Sequence, residues 1–165
     1  GPVSEFFDPS GRLRSRVLAH ASEGLRVVLN IVVRSGTEQR TGINQLAFGC
    51  SDLLDRVEDL RAAGAPLLDV PGAYYDDLEA RLNPERPLLN RLRHLGVLYD
   101  QDGEGEFFHV YTPLIGGQYY VELLERRGGY GGFGAPNTPV RLAMQARHSA
   151  TAVMTSSAAR SARRR

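Results

Sequence analysis

A carboxylate embedded in an apolar strand constrains this chain more than any other feature. Glu122 lies inside residues 119–124, which otherwise consist of Tyr, Val and Leu. Side chains alternate between the two faces of a strand, so Tyr120, Glu122 and Leu124 share one face. A carboxylate among apolar neighbours is costly unless it is paired, hydrogen-bonded or bound to a metal. The fold must therefore bring partners to Glu122.

Turn residues and apolar periodicity divide the chain into two groups of elements. The turns Asp-Pro-Ser-Gly and Ser-Glu-Gly separate three predicted strands at 3–7, 13–19 and 25–33, and a polar linker follows at 34–42. In the second group the pattern predicts a strand at 43–48, a helix at 51–63 capped by Ser51 or Asp52, a short strand at 67–70, helices at 76–82 and 87–95, and strands at 97–100, 106–112 and 118–126.

The order of these elements predicts two related modules. Residues 43–147 read as one complete βαβββ module with an exit segment, and residues 1–42 read as the closing strands of a similar module that lacks its first strand and helix, followed by the linker. A repeat that begins in the middle of a unit suggests a fragment, or the C-terminal part of a longer chain. The expected fold class is α+β.

Residues 148–165 have a different composition. Ala, Ser, Thr and Arg dominate this segment, which ends in Arg-Arg-Arg. Such a sequence buries too little apolar surface to offset the entropy of ordering, so we expect a disordered Arg-rich tail. Binding of this basic tail to nucleic acid is the alternative interpretation.

Composition excludes several classes of protein. The net charge of +1 gives no overall field that would favour nucleic acid or a membrane surface, and Cys50 is the single cysteine. No apolar run approaches the roughly 20 residues that span a bilayer. We therefore expect a cytoplasmic protein without a nucleic-acid or membrane partner.

Several phrases give the chain a family resemblance. GVLYDQDGEG (96–105), FFHVYT (107–112), VELLERRGGYGGFGAPN (121–137), INQLAF (43–48) and YYDDLEARL (74–82) occur in this order. The chain resembles the C-terminal end of the 4-hydroxyphenylpyruvate dioxygenase family in the vicinal oxygen chelate superfamily. It looks most like the dioxygenase-like domain that some bacterial proteins carry behind a 3-dehydroshikimate dehydratase barrel.

The resemblance implies a fold of paired βαβββ modules and a non-haem iron(II) site. Family members hold iron with two His and one Glu, which leaves positions open for a 2-oxo acid and dioxygen. Glu122 matches the Glu ligand, whereas Gln45 occupies one family His position. The other His belongs to the strand that the first module lacks. Iron(II) or another divalent metal is thus expected in a full-length parent, and only weak binding or none in this chain.

His109 adds a possible recruited ligand. Dioxygenases usually carry Gln at this position, facing the substrate, and alternation puts Phe107, His109 and Tyr111 on one face of their strand. A closed sheet would turn Gln45, His109 and Glu122 towards a common interior. This set is a remodelled metal site, a polar network or a hydrogen-bonded core.

An ion pair is a further possibility for the buried carboxylate. In that case Arg126 or Arg141 would be the partner of Glu122.

The resemblance also assigns substrate-side positions. Ser15 and Asn30 match polar residues of the family pocket, although turn and strand-end hydrogen bonding explains them equally well. Phe133 matches an aromatic residue near the pocket mouth, and Asn137 precedes Thr138 where the family has a Phe that stacks on the substrate ring. With His109, these positions imply an aromatic or 2-oxo-acid ligand, and the loss of the stacking Phe, together with the loss of two Gln donors of the family pocket, argues against hydroxyphenylpyruvate itself.

The function that follows is that of a domain of a larger enzyme. In the fusion, the barrel converts 3-dehydroshikimate to protocatechuate, and the present domain would stabilise, oligomerise or regulate it. The alternative is a piece of an iron(II)-dependent 4-hydroxyphenylpyruvate dioxygenase. We expect a homo-oligomer, and whether this chain is itself an enzyme stays open at this point.

Overall fold

The computed structural model describes residues 3–7, 13–19, 26–32, 42–103 and 105–162. The chain divides into two compact units, Gly1–Gly42 and Ile43–Arg165, which are described separately below.

The first unit contains an antiparallel sheet of three strands in the order β1-β2-β3. These are β1 (Val3–Phe7), β2 (Leu13–Ala19) and β3 (Arg26–Val32). The predicted third strand also included Leu25 and Val33, which lie outside the described residues. The register of β2 with β3 pairs Ser15 with Asn30.

The second unit combines helices with a four-stranded sheet in the order β4-β7-β6-β5. Strand β4 runs parallel to β7, and the remaining pairs are antiparallel. The elements are β4 (Gln45–Gly49), α1 (Leu53–Ala62), α2 (Gly72–Leu82), α3 (Arg86–Leu95), β5 (Leu98–Asp102), β6 (Gly105–Tyr111), β7 (Tyr120–Arg127), a 3-10 turn (Ala135–Asn137) and α4 (Thr138–Ala162). Three helices follow one another between β4 and β5, and three strands follow one another before α4, so helices and strands form separate runs as an α+β fold predicts.

The core of this unit forms where apolar helix stripes meet the sheet. In α3, the residues Leu89, Leu92 and Leu95 recur at helical spacing and are all buried, and Gly96 ends the helix with a φ of 68°. They join a cluster to which α1, α2 and the strands also contribute. Strand β6 contributes Phe108, Val110 and Tyr111 to this cluster.

Three local predictions need correction. Residues 67–70 form no strand: the Leu67 amide donates to the Ala65 carbonyl, and a single backbone bond, from the Leu68 amide to the Tyr111 carbonyl, joins the segment to the sheet. Helix α2 begins at Gly72, directly after Pro71, and not at 76. The Asp52 side chain makes no capping hydrogen bond; the Glu125 carboxylate instead accepts the Leu53 amide at 2.8 Å.

Helix α4 continues into the segment that composition predicted to be disordered. It runs to Ala162, and its buried anchor is Met144 near the start. Alanine has the highest helix propensity, which an argument from burial alone leaves out. Among the described residues, no helix is both long and apolar enough to cross a bilayer.

Candidate functional site

Strand register brings three of the predicted site residues, Gln45, His109 and Glu122, to one face of the second sheet. Tyr111 of β6 lies directly opposite Glu122 of β7, and His109 is two positions along on the same face. On the other side of β7, Gln45 of β4 pairs with Tyr120, two positions from Glu122. Three strands therefore bring an amide, an imidazole and a carboxylate together.

The carboxylate of Glu122 is buried and fully engaged. The Gln45 Nε2 donates to one oxygen at 2.5 Å, and His109 Nδ1 lies 2.8 Å from the other. The side chain of Glu122 is 6% exposed and that of His109 is 0% exposed. Its close partners are thus an amide and an imidazole, and not the arginine ion pair that the sequence suggested as one possibility.

Asn137 fixes the tautomer of His109. Its Nδ2 lies 2.9 Å from His109 Nε2 and donates to the Tyr99 carbonyl at 3.1 Å, while its Oδ1 accepts the Tyr74 hydroxyl at 3.1 Å. Because the Tyr99 carbonyl can only accept, the amide nitrogen of Asn137 must face it, and the second amide hydrogen then points at Nε2. We assign the proton of the imidazole to Nδ1, which donates to Glu122.

Tyrosine hydroxyls complete the network. The Tyr120 hydroxyl donates to Gln45 Oε1 at 2.9 Å, and the Tyr111 hydroxyl lies 3.0 Å from His109 Nδ1. Burial raises the pKa of Tyr111 well above its usual value, and the charge of Glu122 adds to this effect. Burial raises the pKa of Tyr120 as well, against the opposing charge of Arg141. Both hydroxyls therefore stay protonated at neutral pH.

Arg141 of α4 approaches the site through aromatic rings. Its guanidinium lies 5.1 Å from the centre of the Tyr120 ring and 5.8 Å from that of Tyr111. A guanidinium at such distances over an aromatic face makes a favourable cation–π contact. A positive charge thus lies near Glu122 without displacing its hydrogen-bond donors.

These residues do not fit the iron site that the resemblance implies. A facial triad needs two imidazoles and a carboxylate with free lone pairs, whereas here one imidazole, one carboxylate and one amide meet. Both nitrogens of His109 are engaged, and Gln45 turns its NH2 group towards Glu122. Within the described ranges, no group of three or more His, Cys, Asp or Glu side chains is placed to hold a metal. The arrangement is a closed hydrogen-bond network.

The other predicted residues have mixed positions. Asn137 is 1% exposed and belongs to the network, whereas Phe133 is half-buried beside the Arg126 guanidinium at 5.9 Å. Ser15 and Asn30 are paired in the register of β2 and β3 in the first unit.

Sequence reasoning missed the two contacts that orient Asn137. Tyr74 comes from α2 and the Tyr99 carbonyl from β5. The motif YYDDLEARL begins with Tyr74, but the helix predicted from the sequence starts two residues later, at 76. A signal was available in Pro71, because proline is common at the start of a helix.

The sequence of this chain is similar to those of known proteins. No family model matches the chain. It is 39% identical over 85% of its length to the 3-dehydroshikimate dehydratase of Pseudomonas putida, and 40% identical over 84% to that of Pseudomonas aeruginosa. It spans only 24% and 23% of those two proteins. The 4-hydroxyphenylpyruvate dioxygenase of Yarrowia lipolytica is 34% identical over 58% of this chain and 26% of its own length.

Solved structures agree with these relatives. A xylose isomerase-like TIM barrel/4-hydroxyphenylpyruvate dioxygenase fusion protein matches with a TM-score of 0.78 and 35% identity, over 89% of this chain and 25% of the fusion. A mutant of 4-hydroxymandelate synthase from Streptomyces coelicolor matches in fold with a TM-score of 0.65 at 24% identity, over 83% of this chain and 43% of that one. The resemblance and the vicinal oxygen chelate-like α+β fold predicted from the motifs are thereby confirmed.

Proposed function

We propose, from its similarity to the C-terminal region of 3-dehydroshikimate dehydratases, that this chain is the dioxygenase-like domain of such a fusion and acts there without oxygenase chemistry. The dehydration of 3-dehydroshikimate to protocatechuate belongs to the barrel. The role of the present domain is to stabilise the barrel and to assemble it into an oligomer.

The observation that carries the proposal is the closed network around Glu122. Gln45 and His109 bond directly to the carboxylate, and Asn137 bonds to the other nitrogen of His109. A buried polar network whose members are all satisfied makes the packing around it rigid and specific. This is a property of a structural domain, and it leaves no ligand set prepared for dioxygen.

The edge strand β4 supports a role in assembly. Strand β4 is the last strand in its sheet, and its Phe48 is 53% exposed. Ile43 just before it is 71% exposed. Exposed apolar residues along a terminal strand favour association with another chain or domain.

A chimera tests the proposal. In the Pseudomonas putida dehydratase, the C-terminal region that matches this chain is replaced by this chain, and the chimera is compared with the parent and with the barrel alone. We expect the chimera to retain dehydratase turnover and to recover the thermal midpoint and assembly state of the parent, both of which the barrel alone loses. A chimera that behaves like the barrel alone would contradict the assigned role.

The alternative function is a dioxygenase. It is supported by the proximity of two residue types found in the family's iron site: the Glu122 carboxylate lies 2.8 Å from the His109 imidazole. With 4-hydroxyphenylpyruvate, iron(II), ascorbate and air, we expect oxygen uptake at background level. One imidazole and an amide cannot replace the two imidazoles that hold iron(II) together with the carboxylate. Formation of homogentisate by the chain would establish the alternative. The variant Gln45→His, assayed in the chimera, shows whether a second imidazole restores any uptake.

A further inference from the structure

A glycine-rich segment covers the face of β6 that carries His109. We call residues 130–137 the strap. The Tyr130 ring stacks on Phe107 with centres 4.9 Å apart and planes 5° apart. At the other end, Asn137 bonds to His109. The strap thus lies over the polar network between two anchors.

Close packing explains the glycine at position 134. A Cβ added to Gly134 would lie 2.8 Å from the Phe107 ring and 3.0 Å from that of His109, and its φ is 63°. Only glycine permits both this backbone conformation and this approach. Glycine at position 134 therefore allows the backbone of the strap to contact the rings of Phe107 and His109.

Two carboxylates at the end of β5 hold the strap. One oxygen of Asp102 accepts the amides of Gly131 at 3.1 Å and Gly132 at 3.2 Å. The Tyr130 hydroxyl donates to Asp100 at 2.6 Å and accepts the Gly134 amide at 3.1 Å. Successive backbone amides on one carboxylate form an anion nest, and hydrogen bonds to charged acceptors are stronger than neutral ones.

The surroundings of the two carboxylates differ. Asp100 is buried and its other oxygen lies 3.8 Å from the Arg81 guanidinium of α2, whereas Asp102 is exposed. The bonds of Asp102 to the strap are thus open to competition from water. Asp102 is thus the more exposed of the two carboxylate attachments; the Arg126 guanidinium also donates to the Gly132 carbonyl at 3.3 Å.

We propose that the strap is a releasable cover, and that Asp100 and Asp102 form the clasp that holds it over His109 and Glu122. Opening begins at Asp102, lifts Gly131 and Gly132, and gives a small molecule access to the network from the β6 face. Glycines flank Tyr130 at positions 128, 129, 131 and 132, and glycine has more backbone conformations open to it than any other residue. The proposal does not depend on whether the domain serves a dehydratase.

The test measures access to His109 in the intact chain. Diethylpyrocarbonate modification is followed by mass spectrometry at His109 and at the exposed His94, which serves as an internal reference. Asp102→Asn keeps the shape of the side chain and removes its charge, and Asp102→Ala removes the acceptor. We expect modification of His109 to accelerate about threefold in the first and about tenfold in the second, with His94 unchanged.

The matched control is Asp69→Asn, because Asp69 is an exposed carboxylate that meets only Arg61, at 3.7 Å, among the ion pairs described. Hydrogen exchange then separates local from global opening. The Gly131 and Gly132 amides should exchange faster in the Asp102 variants, and the β7 amides should not. Unchanged access to His109, or equal acceleration throughout the sheet, would overturn the proposal.

Discussion

At the scale of single residues, the hydrogen bonds of Glu122 and His109 join side chains from three strands and from the 3-10 turn before α4. Strand alternation and the family resemblance predicted that Gln45, His109 and Glu122 belong to the site. The register of β4, β6 and β7 places these three residues next to one another. Asn137 was identified for a different reason, as a substrate-side residue. Its contact with His109 depends on a 3-10 turn lying over β6, which no local pattern encodes.

Asn137→Ala should be among the most destabilising substitutions in the second unit. It leaves His109 Nε2, the Tyr74 hydroxyl and the Tyr99 carbonyl with one fewer partner each in a buried setting. Each such loss costs about 1–3 kcal/mol, so we expect the free energy of unfolding in urea to fall by at least ~2 kcal/mol. Asn90→Ala, on the exposed face of α3, is the control and should change little. Equal effects of the two substitutions would remove Asn137 from its assigned role.

Metal binding tests the same network from another direction. We expect iron(II) to bind the purified chain weakly or not at all, because only one carboxylate and one imidazole meet and both are already hydrogen-bonded. Elemental analysis after dialysis and calorimetric titration give the stoichiometry and affinity. A tight, stoichiometric metal that Glu122→Ala abolishes would mean that Gln45 and His109 turn round to coordinate it.

At the scale of elements, periodicity located most helices and strands, and the error about the cap of α1 came from a contact distant in sequence. The Asp52 side chain makes no cap for α1, because Glu125 of β7 reaches the first amide of that helix. A cap supplied from another strand leaves no local signature. The strand expected at 67–70 is apolar enough, yet it has one backbone bond to the sheet and remains an irregular connection.

The cap from Glu125 predicts acid sensitivity. Burial opposes ionisation of Glu125, but hydrogen bonds from Arg127 and from the Leu53 amide outweigh it, so its pKa lies below the usual value of 4.5. A carboxyl whose pKa is lower in the folded state stabilises the fold above its unfolded pKa, and this contribution disappears as the pH falls through the folded pKa. The free energy of unfolding should therefore decline below about pH 4.5. In Glu125→Gln it should be lower at neutral pH and less steeply dependent on acid, and an unchanged slope would contradict the assignment.

At the scale of the whole molecule, the order of motifs sufficed for the fold of the second unit. The βαβββ order fixes a small set of topologies, and the observed sheet β4-β7-β6-β5 is one of them. What composition could not give was the helical state of the C-terminal segment. The prediction weighed apolar burial and not the helix propensity of alanine, which extends α4 from a packed start.

Assembly is the prediction that belongs to this scale. Phe48 and Leu46 point to the same side of the terminal strand β4 and are 53% and 39% exposed. Exposed apolar side chains on a strand at the end of a sheet promote pairing between chains, so the chain alone should self-associate as its concentration rises. Sedimentation velocity over a hundredfold range of concentration measures this. Phe48→Ser should shift the distribution towards monomer while leaving the thermal midpoint close to that of the parent chain.

Leu142→Ser provides the matched comparison, because Leu142 is 54% exposed on α4 and lies off the sheet. If nonspecific hydrophobic contacts drive the association, the two substitutions should reduce it to a similar extent, since each removes an exposed apolar side chain. If β4 is the interface, only Phe48→Ser acts, and the effect grows when Leu46→Ser is added on the same face. A chain that stays monomeric throughout the range would show that β4 needs no partner, and the assembling role in the fusion would then lose its basis.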